Sequence, residues 1–501
     1  MNKSILIFLL GMVCFGVRAE SFVSGADVSW CTEMEADGRL FYNKAGEETE
    51  LFELMEQIGM SAVRLRVFVD PENGYGPWCD KADVLAKALR AKARGLDLMI
   101  DFHYSDRFAD PGTQLVPRGW QNMNREQIKE AVDRHTREIL QALKDEGIEP
   151  KWVQVGNETN NGMLGDFGRV RWDLSGAARF ADYAELSNVG YDAVKAVFPG
   201  AKVIIHLAGT ESGQWFFPDF KAAGGKFDII GFSHYPNAGE WNSSAAGATH
   251  SNVNTERYVR EAIVRFGVPV MICETGFDVR NPRLAHEVMI DLFNRLKPID
   301  GCCGIFYWEP ETDGQWRPES YIPLGWGAYN MGAFTTDGRP TKALDAFGGR
   351  TVVDPYPSAL KIYDRAGSNV LATMLPVADS EGEFMALLDV TEPWMNINIV
   401  DPESNTWYGS DPADKTKLST ADNKWGLWID SERTGIYTIK ADLASMTWSQ
   451  TYGDNSGVDD IIVDTDAPEE WYDLYGHRIA NPTPGNLCIV RKGSQMHKVI
   501  L

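Results

Sequence analysis

Between Phe22 and about Gly349 the sequence alternates repeatedly between two hydrophobic periods, and that alternation restricts the fold more than any other feature. Short runs rich in Val, Ile and Phe recur at Phe22–Trp30, Ala62–Val69, Leu96–Tyr104, Trp152–Glu158, Val203–Ala208, Phe227–Tyr235, Pro269–Glu274 and Gly304–Glu309. Between them lie stretches of helical period, among them Leu51–Ile58, Ala82–Ala93, Arg125–Lys144, Tyr183–Val197, Thr255–Phe266 and Leu284–Leu296. Strands without polar interruption belong in a parallel sheet covered on both faces. Eight β-then-α units in roughly 330 residues predict an α/β chain whose first domain is a (β/α)8 TIM barrel. A doubly wound open sheet is the rival, but no G-x-G-x-x-G or phosphate-binding loop opens any of the helices.

After Gly349 helical periodicity fades, and turn residues recur roughly every 8–12 positions, as in an all-β sandwich. Ala359–Asp364, Phe384–Asp389, Met395–Val400, Lys424–Ile429, Gly435–Ala441 and Met446–Gln450 read as its strands. A polar link, Gly453–Asp460, leads to a last β-rich piece, Trp471–Leu501. At the other end, Lys3, the short apolar run Ile5–Val13 and Val17-Arg18-Ala19 form a secretion signal. Cys14 follows Val13 rather than the small residue that lipoprotein processing prefers, so cleavage is expected over lipid anchoring. The expected division is a signal peptide at 1–19, a catalytic barrel at 20–352, a β-sandwich at 353–455 and a linker with a β-rich tail at 456–501. The mature chain is expected outside the cytoplasm, secreted, periplasmic or at the cell surface, with no transmembrane segment.

Charge narrows the partners. There are 48 Lys and Arg against 71 Asp and Glu, a net charge of −23. Such a chain repels polyphosphates and anionic membranes, which argues against nucleic acid as a ligand. A neutral polymer meets no such penalty. The 16 Trp and 17 Tyr suit stacking on sugar rings, although aromatic residues also fill cores.

In a barrel the catalytic groups lie where strands end, at the carboxyl face. Two carboxylates close apolar runs there: Glu158 ends Trp-Val-Gln-Val-Gly-Asn-Glu, and Glu274 ends Pro-Val-Met-Ile-Cys-Glu. Either alone could be a structural ion-pair partner, but a pair on the fourth and seventh strands is what glycoside cleavage requires. One carboxyl protonates the leaving oxygen while the other attacks the anomeric carbon or activates water. Asp101-Phe102-His103-Tyr104, Ser233-His234-Tyr235 and Tyr307-Trp308-Glu309 close further strands with hydrogen-bonding groups. Arg64 and Arg66 alternate on the second strand, where a buried Arg holds a carboxylate ionised or serves as a core ion pair.

These residues resemble those of the endo-β-1,4-galactanases, glycoside hydrolase family 53, a family of retaining barrel glycosidases. The resemblance runs from Gly25-Ala26-Asp27-Val28-Ser29 to about Phe347. It includes Arg64-Leu65-Arg66-Val67-Phe68, Ser105-Asp106 with Ala109-Asp110-Pro111, Gly156-Asn157-Glu158, Glu274-Thr275 and Tyr307-Trp308-Glu309-Pro310. It implies that Glu158 is the acid/base and Glu274 the nucleophile. It also implies that Asn157 bonds the sugar's 2-hydroxyl, that Tyr235 and Arg66 steady the nucleophile, and that Trp308 floors the cleavage subsite. His103 and Asp106 are implied as substrate-positioning residues. The implied substrate is β-1,4-galactan or its oligosaccharides, as in the galactan side chains of pectin, with no cofactor.

Two departures stand out. Arg107-Phe108 precedes Ala109-Asp110-Pro111 where the family usually has Trp, and the loop Asp278–Arg283 is too short and ligand-poor for the calcium site of some relatives, so no metal is expected there. The alternatives are another barrel glycosidase, a mannanase or xylanase sharing both Glu residues, and a catalytically silent galactan-binding protein.

Of seven Cys, six lie beyond the signal: Cys31, Cys79, Cys273, Cys302, Cys303 and Cys488, without zinc spacing. Cys31 follows the first strand and Cys79 lies in the loop after the second, so both sit at the carboxyl face of neighbouring units. In an oxidising compartment a Cys31–Cys79 disulfide is expected. In the second domain Trp394, Trp407, Trp425, Trp428 and Trp448 either fill the sandwich core or offer a sugar platform, since alternation does not say which face they occupy.

Overall fold

A computed structural model describes residues 21–453 apart from 45, 72–75, 237–244, 378–379, 381 and 430, together with the backbone of four strands between 469 and 500. The expected secretion signal, Cys14 and most of the polar link lie outside the described residues, as does the Cys488 side chain. Eight parallel strands, β1 (Val23–Asp27), β2 (Ala62–Val67), β3 (Asp97–Phe102), β4 (Trp152–Val155), β5 (Lys202–Ala208), β6 (Ile229–Ser233), β7 (Val270–Thr275) and β8 (Cys302–Trp308), close in sequence order into a barrel. Around it run α1 (Cys31–Ala36), α2 (Leu51–Ile58), α3 (Lys81–Ala93), α4 (Arg125–Asp145), α5 (Ala177–Val197), α6 (Gly213–Ala222), α7 (Ala245–Phe266) and α8 (Pro282–Leu296).

Two helices escape the sequence pattern. Helix α1 spans little more than one turn, and α6 contains Pro218 and begins at Gly213, both of which argue locally against a helix. Packing overrides that preference, since Phe216, Phe217 and Phe220 of α6 are all buried in the layer between sheet and helices. The eighth unit differs from expectation too. Strand β8 is followed by 3₁₀ turns at Glu319–Tyr321 and Lys342–Leu344 rather than by a long helix.

The barrel interior has two layers. At the bottom Val23, Met99, Trp152, Met271 and Phe306 form an apolar plug. Glycine is needed beside it, because a Cβ on Gly25 would lie 2.5 Å from the Phe306 ring. Above the plug the inward side chains turn polar and charged, which places the chemistry at the carboxyl ends of the strands.

The second domain is a nine-stranded antiparallel sheet. Its strands are β9 (Leu360–Asp364), β10 (Val370–Pro376), β11 (Glu383–Val390), β12 (Asn396–Asp401), β13 (Thr406–Ser410), β14 (Leu418–Ser419), β15 (Leu427–Trp428), β16 (Gly435–Asp442) and β17 (Thr447–Tyr452). The order is β14-β13-β12-β9-β10-β11-β16-β17, with β15 on β12. The two edges then meet: Leu418 N–H donates to the Met446 carbonyl and Trp448 N–H to the Thr416 carbonyl, at 2.8 and 2.9 Å. The sheet thus wraps a single apolar core that includes Leu360, Ile362, Phe384, Ile397, Ile399 and Ile439. The terminal piece forms a separate four-stranded antiparallel sheet. Among the described residues no helix is long and apolar enough to cross a membrane.

Candidate active site

Arg64, on β2, stands fully buried in the middle of the barrel and gathers the site around it. It reaches Asp27 of β1 at 2.6 Å, and Asp101 of β3 and Glu274 of β7 at 2.8 Å each. Its Nε donates to Gln154 at 2.6 Å and its Nη2 to Asn157 Oδ1 at 2.8 Å. A guanidinium here makes three buried carboxylates tolerable, because each would otherwise face a large desolvation penalty. The charge on Arg64 draws Asp101 down to about 2 against the opposing effect of burial. Glu274 is raised by burial, while Arg64 and a 3.1 Å hydrogen bond from Tyr235 Oη pull it back toward the ionised form.

Glu158 enters the cleft from the turn after β4. Gly156 takes φ 87° and Glu158 itself φ 45°, so the chain curls sharply where the strand ends. For a Glu that left-handed conformation costs about 1–2 kcal/mol, the kind of strain that packed functional sites retain. Burial first, then the facing Glu274 charge, push the Glu158 carboxyl up to about 8. The two glutamates converge on one hydroxyl: Ser233 Oγ lies 2.6 Å from Glu158 Oε1 and 3.4 Å from Glu274 Oε2. Ser233 ends β6 directly opposite Glu274 in the sheet register.

The hydrogen-bond polarity around that hydroxyl can be deduced. Arg64 only donates and the Ala109 carbonyl only accepts, so Asn157 turns Oδ1 to Arg64 and Nδ2 to Ala109. His206 Nδ1 lies 2.9 Å from Asn157 Oδ1 and 3.4 Å from the Glu158 backbone nitrogen. Burial and the Arg64 charge hold His206 well below the usual imidazole range, so the ring is neutral. Ser233 Oγ donates to Glu158 Oε1 and also lies 2.9 Å from His206 Nε2. The bond from Ser233 stabilises the ionised Glu158 and so works against the upward push of burial and Glu274, which together outweigh it.

Several expected residues take other partners. Arg66 does not touch Glu274. It lies one inward position above Arg64 on β2, pairs with Glu309 after β8, and lies against the Phe108 ring with the guanidinium carbon 4.7 Å from its centre. The steadying Arg is therefore Arg64, and Arg66, almost wholly buried, braces the aromatic wall. His103 has both ring nitrogens engaged, with Nδ1 accepting from Ala109 N–H and Nε2 bonded to Asp101, each at 2.9 Å. Asp106 accepts from the backbone N–H of Asp70 at 3.1 Å and of Arg118 at 2.8 Å, so it ties two loops together. Trp308 is partly exposed at the cleft and stands edge-on to Tyr329, ring centres 4.6 Å apart. Phe108, whose place before Ala109-Asp110-Pro111 is usually taken by Trp in the family, packs with its ring centre 6.3 Å from that of Trp308.

The expected Cys31–Cys79 disulfide is absent, and both are free buried thiols. The sulfurs face different cations: Cys79 lies 3.9 Å from Lys87 Nζ and Cys31 lies 3.7 Å from Arg90 Nη1. Lys87 is held by the Ser29 carbonyl and Asp83 at 2.7 and 2.6 Å, so its ammonium occupies the space beside Cys79. Burial keeps both thiols protonated, raising Cys79 to about 11.

Sequence reading singled out neither His206 nor the bridging role of Ser233. The signal for His206 was available, since it interrupts the apolar run Val203–Ala208 with a ring that needs two partners. Among the described residues no three or more His, Cys, Asp or Glu are grouped to hold a metal ion.

Comparison with known proteins follows the same division. The profile of Glycosyl hydrolase family 53 matches residues 23–347, and that of a domain of unknown function, DUF5111, matches residues 358–452. An endo-β-1,4-galactanase of Bacillus subtilis is 28% identical over 384 residues, covering 66% of this chain and 81% of the relative. The arabinogalactan endo-β-1,4-galactanase of Cellvibrio japonicus is 29% identical over 343 residues, covering 62% and 87%. The solved GH53 catalytic domain of Ignisphaera aggregans aligns with a TM-score of 0.55 at 28% identity, covering 66% of this chain and 96% of that one.

Proposed function

The chain belongs to glycosyl hydrolase family 53, and on that premise we propose that it is an endo-β-1,4-galactanase acting by double displacement with retention. Glu158 gives its proton to the glycosidic oxygen while Glu274 attacks the anomeric carbon. The leaving chain departs as an alcohol, and the remaining sugar is held as an ester on Glu274. Forming that ester removes the negative charge opposite Glu158, so its pKa falls and it takes a proton from the incoming water. Water then attacks the anomeric carbon and frees the Glu274 carboxylate.

The observation that carries the reading is the shared contact with Ser233. Because that hydroxyl lies 2.6 Å from one carboxylate oxygen and 3.4 Å from the other, those oxygens are at most about 6 Å apart. Retaining glycosidases space their carboxyls at about 5–5.5 Å, whereas inverting ones leave about 6.5–9.5 Å for a water. Arg64 and Tyr235 favour Glu274 as the ionised member, and burial with the facing Glu274 charge favours Glu158 as the protonated one.

Galactan as substrate, including the side chains of pectin, is supported by the names of the Bacillus and Cellvibrio relatives and by the Ser105-Asp106 and Ala109-Asp110-Pro111 block. Export from the cytoplasm rests on Lys3, the run Ile5–Val13 and Val17-Arg18-Ala19. Hydrolysis of β-1,4-galactan, mannan and xylan should be compared, with proton NMR of the first-formed anomer. Galactan should be cleaved fastest and give the β-anomer. Faster turnover of mannan or xylan would refute the substrate, and an initial α-anomer would refute retention.

A further inference from the structure

The second domain carries a feature that its apolar core does not need. Trp394, Trp425 and Trp428 are 48%, 47% and 48% exposed, which is unusual for the largest apolar side chain. All three line one cavity of about 630 Å³ in the sandwich. Trp448 forms a buried part of its lining, with its indole N–H spent on the Lys415 carbonyl at 2.7 Å. Among the described residues the indole N–H groups of Trp394, Trp425 and Trp428 have no hydrogen-bond acceptor, so they remain available as donors.

The scaffold places these side chains around one cavity. Trp425 exchanges two backbone hydrogen bonds with Ser410, at 2.8 and 3.0 Å, and Trp428 sits on β15 opposite Asn396 of β12. Trp394 adopts φ 58°, a strained backbone conformation for a side chain that gains little burial from it. The meeting of the sheet edges brings Lys415 and Thr416 beside Trp448, Ser449 and Gln450, so hydroxyl and amide groups stand among the aromatic faces. Trp407 is not part of this cavity and packs instead on Tyr363, with ring centres 5.3 Å apart.

We propose that the sandwich holds a second, non-catalytic glycan site, in which Trp394, Trp425 and Trp428 stack on a neutral chain of β-linked hexopyranoses. Pyranose rings present an apolar C–H face to an indole and equatorial hydroxyls to a polar rim, and this cavity offers both. The lining contains no carboxylate and a single cation, Lys415, while the whole chain, at −23, repels a polyanionic glycan at long range. The occupant is the polymer cut by the barrel. A site on the same chain raises the local concentration of that polymer at the cleft without adding a contact to the scissile bond. Naming the polymer as galactan rests on the function proposed for the barrel.

The test uses the full chain. Affinity electrophoresis through galactan gels, on a Glu274→Gln background that prevents digestion, compares the parent with Trp425→Ala/Trp428→Ala and Trp425→Tyr/Trp428→Tyr. The alanine pair should weaken retardation at least fivefold. In the active enzyme it should raise KM for long galactan by a similar factor, with kcat/KM on a galacto-oligosaccharide changed less than twofold. The tyrosine pair keeps aromatic faces and should retain most of the retardation, which separates loss of rings from loss of fold. Unchanged retardation in the alanine pair, equal loss in both pairs, or retardation by polygalacturonate and not galactan overturns the proposal. A parent protein retarded through these tryptophans whose active form releases no sugar from galactan would sink the barrel function and leave the second site standing.

Discussion

The barrel and the sandwich break the usual rule of residue placement in opposite directions. The barrel buries charge at its centre, with Arg64, Asp27, Asp101 and Glu274 all shielded from water. The sandwich has an apolar centre and leaves three tryptophans on its surface. An exposed Leu or a buried Val says little, but a buried ion cluster or an exposed aromatic cluster costs stability that something must offset. In the barrel the return is chemistry, since convergent charge tunes two carboxyls. In the sandwich it is adhesion, since flat apolar faces hold a ligand without reacting with it.

The hardest test of that contrast removes the chemistry alone. Glu274→Ala should lower turnover by at least about 10³-fold while galactan binding stays measurable. Glu158→Ala should spare substrates with good leaving groups, and azide should rescue it by attacking the glycosyl-enzyme. Full activity in Glu274→Ala would end the assignment.

Next in size is the buried charge itself. Arg64→Met leaves Asp27, Asp101 and Glu274 without their shared cation, and should cost the barrel about 3–5 kcal/mol. Calorimetry should show that loss in the barrel transition only, with the sandwich unmoved.

A smaller effect is expected from separating the regions. Arg283 approaches Asp401 at 3.5 Å, Lys342 approaches Glu403 at 3.6 Å, and His286 Nε2 accepts from Asp354 N–H at 2.9 Å. A chain ending after Pro357 keeps the Asp354 bond, loses the two ion pairs and uncovers Tyr356, which packs on the sandwich core. It should fold, cleave short galacto-oligosaccharides normally and lose about 1–2 kcal/mol. A truncation that folds and binds but turns over no galactan would show that the regions act as one.

The finest effect concerns protonation. Activity needs Glu158 protonated and Glu274 ionised, so the rate should fall as pH rises through about 8 and fall again in acid as Glu274 gains a proton. Ser233→Ala removes a hydrogen bond that stabilises the ionised form of Glu158. The alkaline limb of kcat/KM should therefore move up by about 0.5–1 pH unit, the equivalent of one hydrogen bond. A downward shift would mean that Ser233 serves the protonated form.

How far each element could be read in advance follows from how local its cause is. Glu158 and Glu274 were visible because a carboxylate closing an apolar run is a local anomaly. Helix α6 was not, because Pro218 and Gly213 argue against a helix and only the buried phenylalanines argue for it. Strand β10 (Val370–Pro376) was missed because most of its residues are at least partly exposed and it ends in proline, so no alternation marks it. Lys424–Ile429 shrinks to the two residues of β15 on β12, while Trp425 pairs separately with Ser410 of β13. The disulfide was expected from neighbouring positions alone, without the cations that stand beside each sulfur.

By itself the sequence determined the order of the eight barrel strands, the change of architecture near Gly349 and the two carboxylates, because periods of 2 and 3.6 residues are local properties of the chain. It also determined that Arg64 and Arg66 share one face of β2, because their positions differ by two. Only the closed barrel decided which of them meets Glu274. Parity fixes the side of a strand to which a residue points, whereas height inside the barrel depends on the stagger of all eight strands. That stagger puts Arg64 level with Glu274 and Arg66 level with Glu309. The sandwich tryptophans follow the same logic: the sequence spaced them, and the meeting of distant sheet edges turned three of them outward around one cavity.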